Sequence, residues 1–305
     1  MLPIIPSCER SGLRDMEHSF SPSLRAAVAL QKAGFRHAHS LGQNFITDDG
    51  LIEEMLDAAE VTAEDCILEI GPGAGIMTAW LAQHCKRVVA LELDHRLENV
   101  LAEVLSPYAN VEVVFQDALK ADLGAITRAA FGENSFRVVA NLPYYITAEI
   151  VLRLLSARLP MDSACLMVQR EAAERMMAAV GEKNWCALSA TVQYFARPEV
   201  LMDVPPEAFA PPPHVFSQFI RLEMYREKPV RMQDEALFLR VVQCAFAMRR
   251  KTMANNLKAS FGISQEQALR VLEAVGADPK IRGEALHLYE LASISDALAD
   301  CFANG

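Results

Sequence analysis

The residues best suited to chemistry in this chain stand where short apolar runs give way to turns. FRVVANL (136–142) leads into Asn141-Leu142-Pro143-Tyr144. An exocyclic amine on an aromatic ring is a poor nucleophile, because its lone pair is delocalised into the ring. Two acceptors, the Asn141 side-chain carbonyl and the Leu142 backbone carbonyl, would bind both amine hydrogens and turn the lone pair towards an electrophile. Pro143 stiffens the turn and offers no competing donor. Tyr144 presents a ring face for stacking a base taken out of its helix. Catalysis of this kind rests on orientation and needs no strong general base, since the amine becomes acidic once alkylated. Asn and Pro are also ordinary turn residues, so the tetrapeptide takes its meaning from its position at a strand end. Phe209, in Phe209-Ala210-Pro211-Pro212-Pro213, has two readings: cover for the other face of such a base, or a core aromatic beside a rigid loop.

A second set of residues suits a bound cosubstrate. CILEI (66–70) runs into Glu69-Ile70-Gly71-Pro72-Gly73-Ala74-Gly75. Glycines there permit a tight turn and let a ligand approach the backbone above a helix N-terminus. Dinucleotide-binding proteins use a similar turn. Pro72 between the glycines and the acid just before them favour S-adenosylmethionine, whose sulfonium and amino groups attract carboxylates and which has no pyrophosphate to seat. Glu92 ends the next apolar run, where a carboxylate can bridge two ribose hydroxyls in either ligand. It therefore marks the topology and not the ligand. Asp117, in Phe115-Gln116-Asp117-Ala118, can accept from the exocyclic amine of the cosubstrate adenine, a match that supplies specificity. It equally suits a helix N-cap.

These positions require a parallel sheet. CILEI (66–70), RVVALELD (87–94), VEVVFQD (111–117), FRVVANL (136–142) and SACLMVQ (163–169) read as short buried strands. Helical stretches separate them, which implies a sheet covered on both faces. VFSQFIRLEMY (215–225) predicts one more strand, at the sheet edge and antiparallel. Beyond Pro229 the pattern is helical throughout. The expected class is α/β, a Rossmann-like sheet with helices on both faces plus a smaller all-helical C-terminal domain. Residues 1–36 are expected to form an extension carrying a helix from Ser21-Pro22-Ser23, residues 37–227 the catalytic domain, and residues 228–305 the helical domain. A chain of 305 residues accommodates two domains.

Composition narrows the partners. Seven scattered cysteines with no Cys-x-x-Cys pair point to reduced thiols, a cytoplasmic location and no zinc or other metal. No apolar run approaches a membrane span, and the N-terminus lacks a signal-peptide pattern. The net charge of −10 is unusual for a protein that holds polyanionic RNA. Its distribution is uneven, however: from Arg226 to Lys258 eight positive residues face three negative ones, a net +5. The compact Arg249-Arg250-Lys251 run is the candidate for phosphate contact.

Taken in order, Leu41-Gly42-Gln43-Asn44-Phe45, Glu69-Ile70-Gly71-Pro72-Gly73, Gln116-Asp117-Ala118, Asn141-Leu142-Pro143-Tyr144, Gln169-Arg170-Glu171, Phe209-x-Pro211-x-Pro213 and Arg249-Arg250-Lys251-Thr252 carry a family resemblance. The chain resembles the ribosomal RNA adenine N6,N6-dimethyltransferases, which modify two adjacent adenosines near the 3′ end of 16S rRNA. The resemblance runs from about His39 through Arg282-Gly283-Glu284-Ala285-Leu286 to the last helix. It implies a class I methyltransferase sheet and S-adenosylmethionine as methyl donor. Asn44 and Ile46 would line the donor, with Gly71, Gly73, Glu92, Asp117 and Asn141 as binding positions. It further implies that the helical domain grips 16S rRNA in an immature 30S subunit, with a role in subunit assembly. A monomer is expected, because a large asymmetric substrate does not call for symmetry. The chain departs from the family at His39 and His214, where lysines are usual, and at Asn184-Trp185-Cys186-Ala187-Leu188-Ser189. The rival readings are a large-subunit methylase of the erythromycin-resistance type and a non-catalytic assembly factor. Arg249-Arg250-Lys251-Thr252 followed by Asn255-Asn256-Leu257 favours the small-subunit family.

Overall fold

The computed structural model describes residues 20–35 and 44–303; Cys8, His39 and Leu41-Gly42-Gln43 lie outside the described residues. The strands are β1 (Phe45–Ile46), β2 (Cys66–Ile70), β3 (Arg87–Glu92), β4 (Val111–Phe115), β5 (Phe136–Asn141), β6 (Met161–Gln169), β7 (Ala196–Val204), β8 (Phe209–Ala210) and β9 (Ser217–Met224). Six helices come before the end of β5 or directly after it: α1 (Pro22–Lys32), α2 (Asp49–Ala58), α3 (Ile76–His84), α4 (Glu98–Val104), α5 (Leu123–Phe131) and α6 (Thr147–Ser156). Six more follow: α7 (Arg170–Met177), α8 (Ala187–Phe195), α9 (Glu235–Ala247), α10 (Met253–Phe261), α11 (Gln265–Ala274) and α12 (Leu288–Ala303).

Seven strands form one sheet in the order β4-β3-β2-β5-β6-β9-β7, and β1 pairs with β8 in a separate two-stranded ladder. Strands β2 to β6 run parallel. Every residue of β2 is buried, as a strand covered on both faces requires. Because the chain turns one way from β2 to β3 and β4, and the other way to β5 and β6, a crevice opens beyond the strand ends at the switch point.

One expectation changes. β9 is not the edge strand, because β7 lies outside it. Arg197, Pro198, Glu199 and Asp203 interrupt the apolar pattern of β7, so it does not read as a strand. Charges and proline are nonetheless what an unpaired sheet edge tolerates. The described residues form two compact units. One comprises the described residues up to Arg170 with Val200–Arg221, and the other Glu171–Glu199 with the described residues from Leu222 onward.

In the first unit α1, the expected N-terminal helix, packs into the core. Ala26 and Ala29 are fully buried, and Arg25 Nη1 donates to the Val104 carbonyl at 3.1 Å, placing a cation on the C-terminus of α4. In the second unit α8 buries Leu188, Val192, Tyr194 and Phe195 against the helices that follow. Tyr194 Oη donates to Glu235 Oε2 at 2.8 Å in the first turn of α9, which explains why residues 171–199 belong with the helical unit. Trp185 is buried and meets Phe246 edge-on at 6.0 Å. Gly283 packs so closely on α9 that an added Cβ would stand 1.9 Å from the Ala245 carbonyl oxygen. Asn256 Nδ2 donates to that same oxygen at 3.0 Å. Among the described residues the cysteines are free thiols, and no helix is long and apolar enough to cross a membrane.

Candidate functional site

The C-terminal ends of β2, β3, β4 and β5 open into a cleft of about 770 Å³ counting its mouth. Its wall brings together Asn44, Gly71, Gly73, Glu92, Asp117, Asn141, Leu142, Pro143 and Tyr144. A smaller lobe is lined by Ile46, Glu69, Pro72 and Met77 and shares Phe45, Gly71 and Asn141 with the larger one. Nine sequence-predicted positions therefore meet in one cleft, and Ile46 lies in its side lobe.

The glycine turn is shaped by left-handed backbone. Gly71 has φ +72 and Gly73 φ +57, conformations that favour glycine. An added Cβ on Gly73 would come within 2.7 Å of the Phe45 ring. Phe45 thus forms the floor beneath the turn. The β1–β8 ladder holds it there, with Phe45 opposite Ala210 and Ile46 opposite Phe209.

Three carboxylates differ sharply in environment. Glu69 is fully buried, with neither of its oxygens in a close hydrogen bond. Burial pushes its carboxyl up to about 8, the Thr78 hydroxyl opposing the rise and the charge of Glu92 adding to it. Such a group is a standing receptor for a cation or a donor. Glu92 accepts from Gly73 N at 3.0 Å and from Asp94 N at 2.8 Å. Burial raises its pKa and these amides oppose the rise. Each of its oxygens keeps a further lone pair for a ligand hydroxyl. Asp117 is half-exposed and accepts from Leu119 N at 3.0 Å, with Lys120 Nζ at 3.1 Å. The Leu119 amide first, then Lys120, holds its carboxyl below the usual range. The cap-like bond considered for Asp117 is present, and the residue still borders the cleft.

At the end of β5, Asn141 Nδ2 donates to the Asn44 backbone carbonyl at 2.9 Å. The amide is thereby oriented, and Oδ1 is the acceptor it offers to the cleft. Leu142 N is held by the Met167 carbonyl at 3.2 Å. The Pro143 carbonyl is occupied by Ile146 N at 3.2 Å and Thr147 Oγ1 at 3.1 Å. Tyr144 is half-buried, its phenol raised by burial.

Phe209 and the basic run lie elsewhere. The side chain of Phe209 is packed in the core and borders neither lobe, because its strand is tied to Ile46. Its partner Ile46 lines the side lobe. Arg249, Arg250 and Lys251 occupy the exposed turn between α9 and α10 in the second unit. Arg249 donates to the Lys183 carbonyl at 3.2 Å and approaches Glu284 at 3.8 Å, so Arg250 and Lys251 are the less engaged cations. Sequence reasoning missed Phe45, Leu93 and Tyr145 as cleft residues. Leu93 and Tyr145 directly follow Glu92 and Tyr144, and both are large apolar side chains left exposed, a signal that adjacency to named site residues carries.

Residues 34–293 match the family described as ribosomal RNA adenine dimethylase. The chain is similar to ribosomal RNA small subunit methyltransferase A of Geobacillus thermodenitrificans, 45% identical over 282 residues, covering 91% of this chain and 96% of that one. The protein of the same name from Alkaliphilus metalliredigens is 41% identical over 285 residues, covering 93% and 99%. Among solved structures, a dimethyladenosine transferase from Plasmodium falciparum superimposes with a TM-score of 0.67 at 25% identity, over 81% of this chain and 94% of that one. The 23S rRNA methyltransferase ErmE gives 0.61 at 25% identity, over 84% and 100%.

Proposed function

The chain belongs to the ribosomal RNA adenine dimethylase family and is an rRNA adenine methyltransferase; from that premise we propose a substrate, a methyl donor and roles for the cleft residues. The substrate is a pair of adjacent adenosines near the 3′ end of 16S rRNA in the 30S subunit, dimethylated at N6, in keeping with the similarity to the small-subunit rRNA methyltransferases.

The residues present fit S-adenosylmethionine. Glu69 is a buried acid with no cation and no close hydrogen bond on its oxygens, which suits the positive end of that molecule. Glu92, tied to the glycine turn, suits the ribose hydroxyls, and Asp117 suits the adenine amine. Ile46 and Asn44 close the cleft from the N-terminal side. Bound there, S-adenosylmethionine supplies an electrophilic methyl group on a cationic sulfur.

The acceptor is handled by the β5 end. Asn141 Oδ1 and the Leu142 carbonyl accept the two hydrogens of the adenine amine, which turns its lone pair towards the methyl group. Tyr144 gives the base a ring face. The observation that carries this reading is the Asn141 Nδ2 to Asn44 carbonyl bond at 2.9 Å. It fixes which end of the amide faces the cleft, and such preorganisation costs no rearrangement when the reaction occurs. In the helical unit Arg250 and Lys251, with Arg249, contact rRNA phosphates. The protein works in the cytoplasm as a monomer and takes part in small-subunit assembly.

The test is methyl transfer from labelled S-adenosylmethionine to unmethylated 30S subunits, 50S subunits and DNA, followed by digestion to nucleosides. Dimethyladenosine from 30S alone is the expected result. Label in 50S would move the substrate to the large subunit, and binding of 30S without label would make the protein an assembly factor.

A further inference from the structure

The two tyrosines of Asn141-Leu142-Pro143-Tyr144-Tyr145 are treated differently by the fold. Tyr145 is 52% exposed at the cleft rim. Tyr144 is tethered: its phenol lies 2.7 Å from Ser217 Oγ. Ser217 opens β9 and is 0% exposed. A buried hydroxyl needs a partner, and here the partner is a side chain of the cleft wall.

The segment carrying Ser217 is itself anchored. The preceding carbonyl, of Phe216, accepts from Arg170 N at 3.1 Å. The Arg170 guanidinium lies 5.0 Å from the Phe216 ring centroid and pairs with Asp203 at 3.1 Å. The tether therefore runs from a fixed strand end to the ring. Without it, the phenyl ring would sample additional orientations, and ordering it on substrate arrival would cost entropy.

We infer that Ser217 is a positioning residue for methyl transfer: through its hydroxyl it fixes the Tyr144 ring in the orientation that receives the target adenine. Tyr144 then acts by its face and not by its hydroxyl, which is already committed. Burial keeps that phenol neutral, consistent with a structural hydrogen bond. The assignment rests on the proposed reading of the cleft.

The experiment compares Ser217→Ala, Tyr144→Phe, the double variant and Tyr144→Leu with the wild type on unmethylated 30S subunits. Turnover, affinity for S-adenosylhomocysteine and the pH profile are measured for each. One hydrogen bond lost should lower kcat by about 3- to 10-fold in either single variant. The double variant should lose no more, because both changes remove the same bond. Affinity for S-adenosylhomocysteine and the pH profile should stay unchanged. Tyr144→Leu should fall about a further 10-fold, because it removes the stacking face. Wild-type turnover by both single variants would overturn the proposal, as would losses that multiply in the double. A far larger loss in Tyr144→Phe with an altered pH profile would overturn it too, by making the phenol a proton carrier. Should Ser217→Ala unfold, Tyr144→Phe alone decides, since it keeps Ser217 and removes only the bond. A wild type that binds 30S without methylating it would instead refute the proposed function and leave a different signature.

Discussion

Replacing Glu69 with glutamine separates what that residue does for the fold from what it does for the ligand. The side chain is fully buried with no close hydrogen bond, and burial raises its carboxyl from an ordinary 4.5 to about 8 against the pull of the Thr78 hydroxyl. The folded chain thus holds the proton more tightly than the unfolded one. The stability contributed by protonated Glu69 is complete below pH 4.5 and is lost progressively as the pH rises towards 8. At about 1.4 kcal/mol per pH unit, the ceiling on that loss is roughly 5 kcal/mol. Glutamine has nearly the same shape and does not titrate. Urea denaturation from pH 5 to pH 8.5 should therefore show Glu69→Gln gaining on the wild type as the pH rises, by about 2 to 4 kcal/mol across the range. With saturating S-adenosylmethionine the order should reverse near pH 8, because a cation beside Glu69 repays its ionisation and the amide offers no charge. A constant difference between the two proteins at every pH would refute this account of Glu69.

Asn141→Ala removes both the acceptor and the amide that holds the Asn44 carbonyl; methylation of 30S should fall by about 100-fold or more, while 30S binding measured by sedimentation stays near normal. Gly283→Ala drives a methyl group into the Ala245 carbonyl, where backbone cannot yield, and should lower stability in chemical denaturation by roughly 3 kcal/mol or more; a loss under 1 kcal/mol would mean the turn relaxes freely. Replacing Arg249, Arg250 and Lys251 together with alanine should weaken 30S binding and flatten its dependence on salt by about two in the log–log slope, and an unchanged slope would place the phosphate contacts elsewhere.

The strand ends are legible in the sequence because a parallel sheet leaves little choice. Once CILEI, RVVALE and FRVVAN are buried strands, Gly71, Glu92 and Asn141 must emerge at one edge, and so must Asp117 after β4. Less legible are features fixed by contacts distant in the chain. Phe209 has the same residue type and loop setting whether it faces a ligand or a core, and only its pairing with Ile46 decides. Phe45 becomes a floor through its contact with Gly73, a fact of three-dimensional approach that no spacing encodes. β7 hides because Arg197, Pro198 and Glu199 serve a solvent edge, so the apolar alternation that reveals half-buried strands is missing. Residues 187–195 carry apolar surface that is shared with α9, a partnership 41 residues away that their own spacing does not reveal.

The ladder between β1 and β8 bears on how the chain comes to be made. Asn44, Phe45 and Ile46 are synthesised early, yet Asn44 waits for a donor 97 residues later, and Phe45 and Ile46 wait for Ala210 and Phe209. Closing so long a loop adds little to the equilibrium cost but places the contact late in folding. During translation the sheet from β2 to β6 can consolidate while one wall of the cleft is still absent. The wall of the cleft made by Asn44, Phe45 and Ile46 is thus held by residues synthesised long after it, Asn141 and the segment around residue 210.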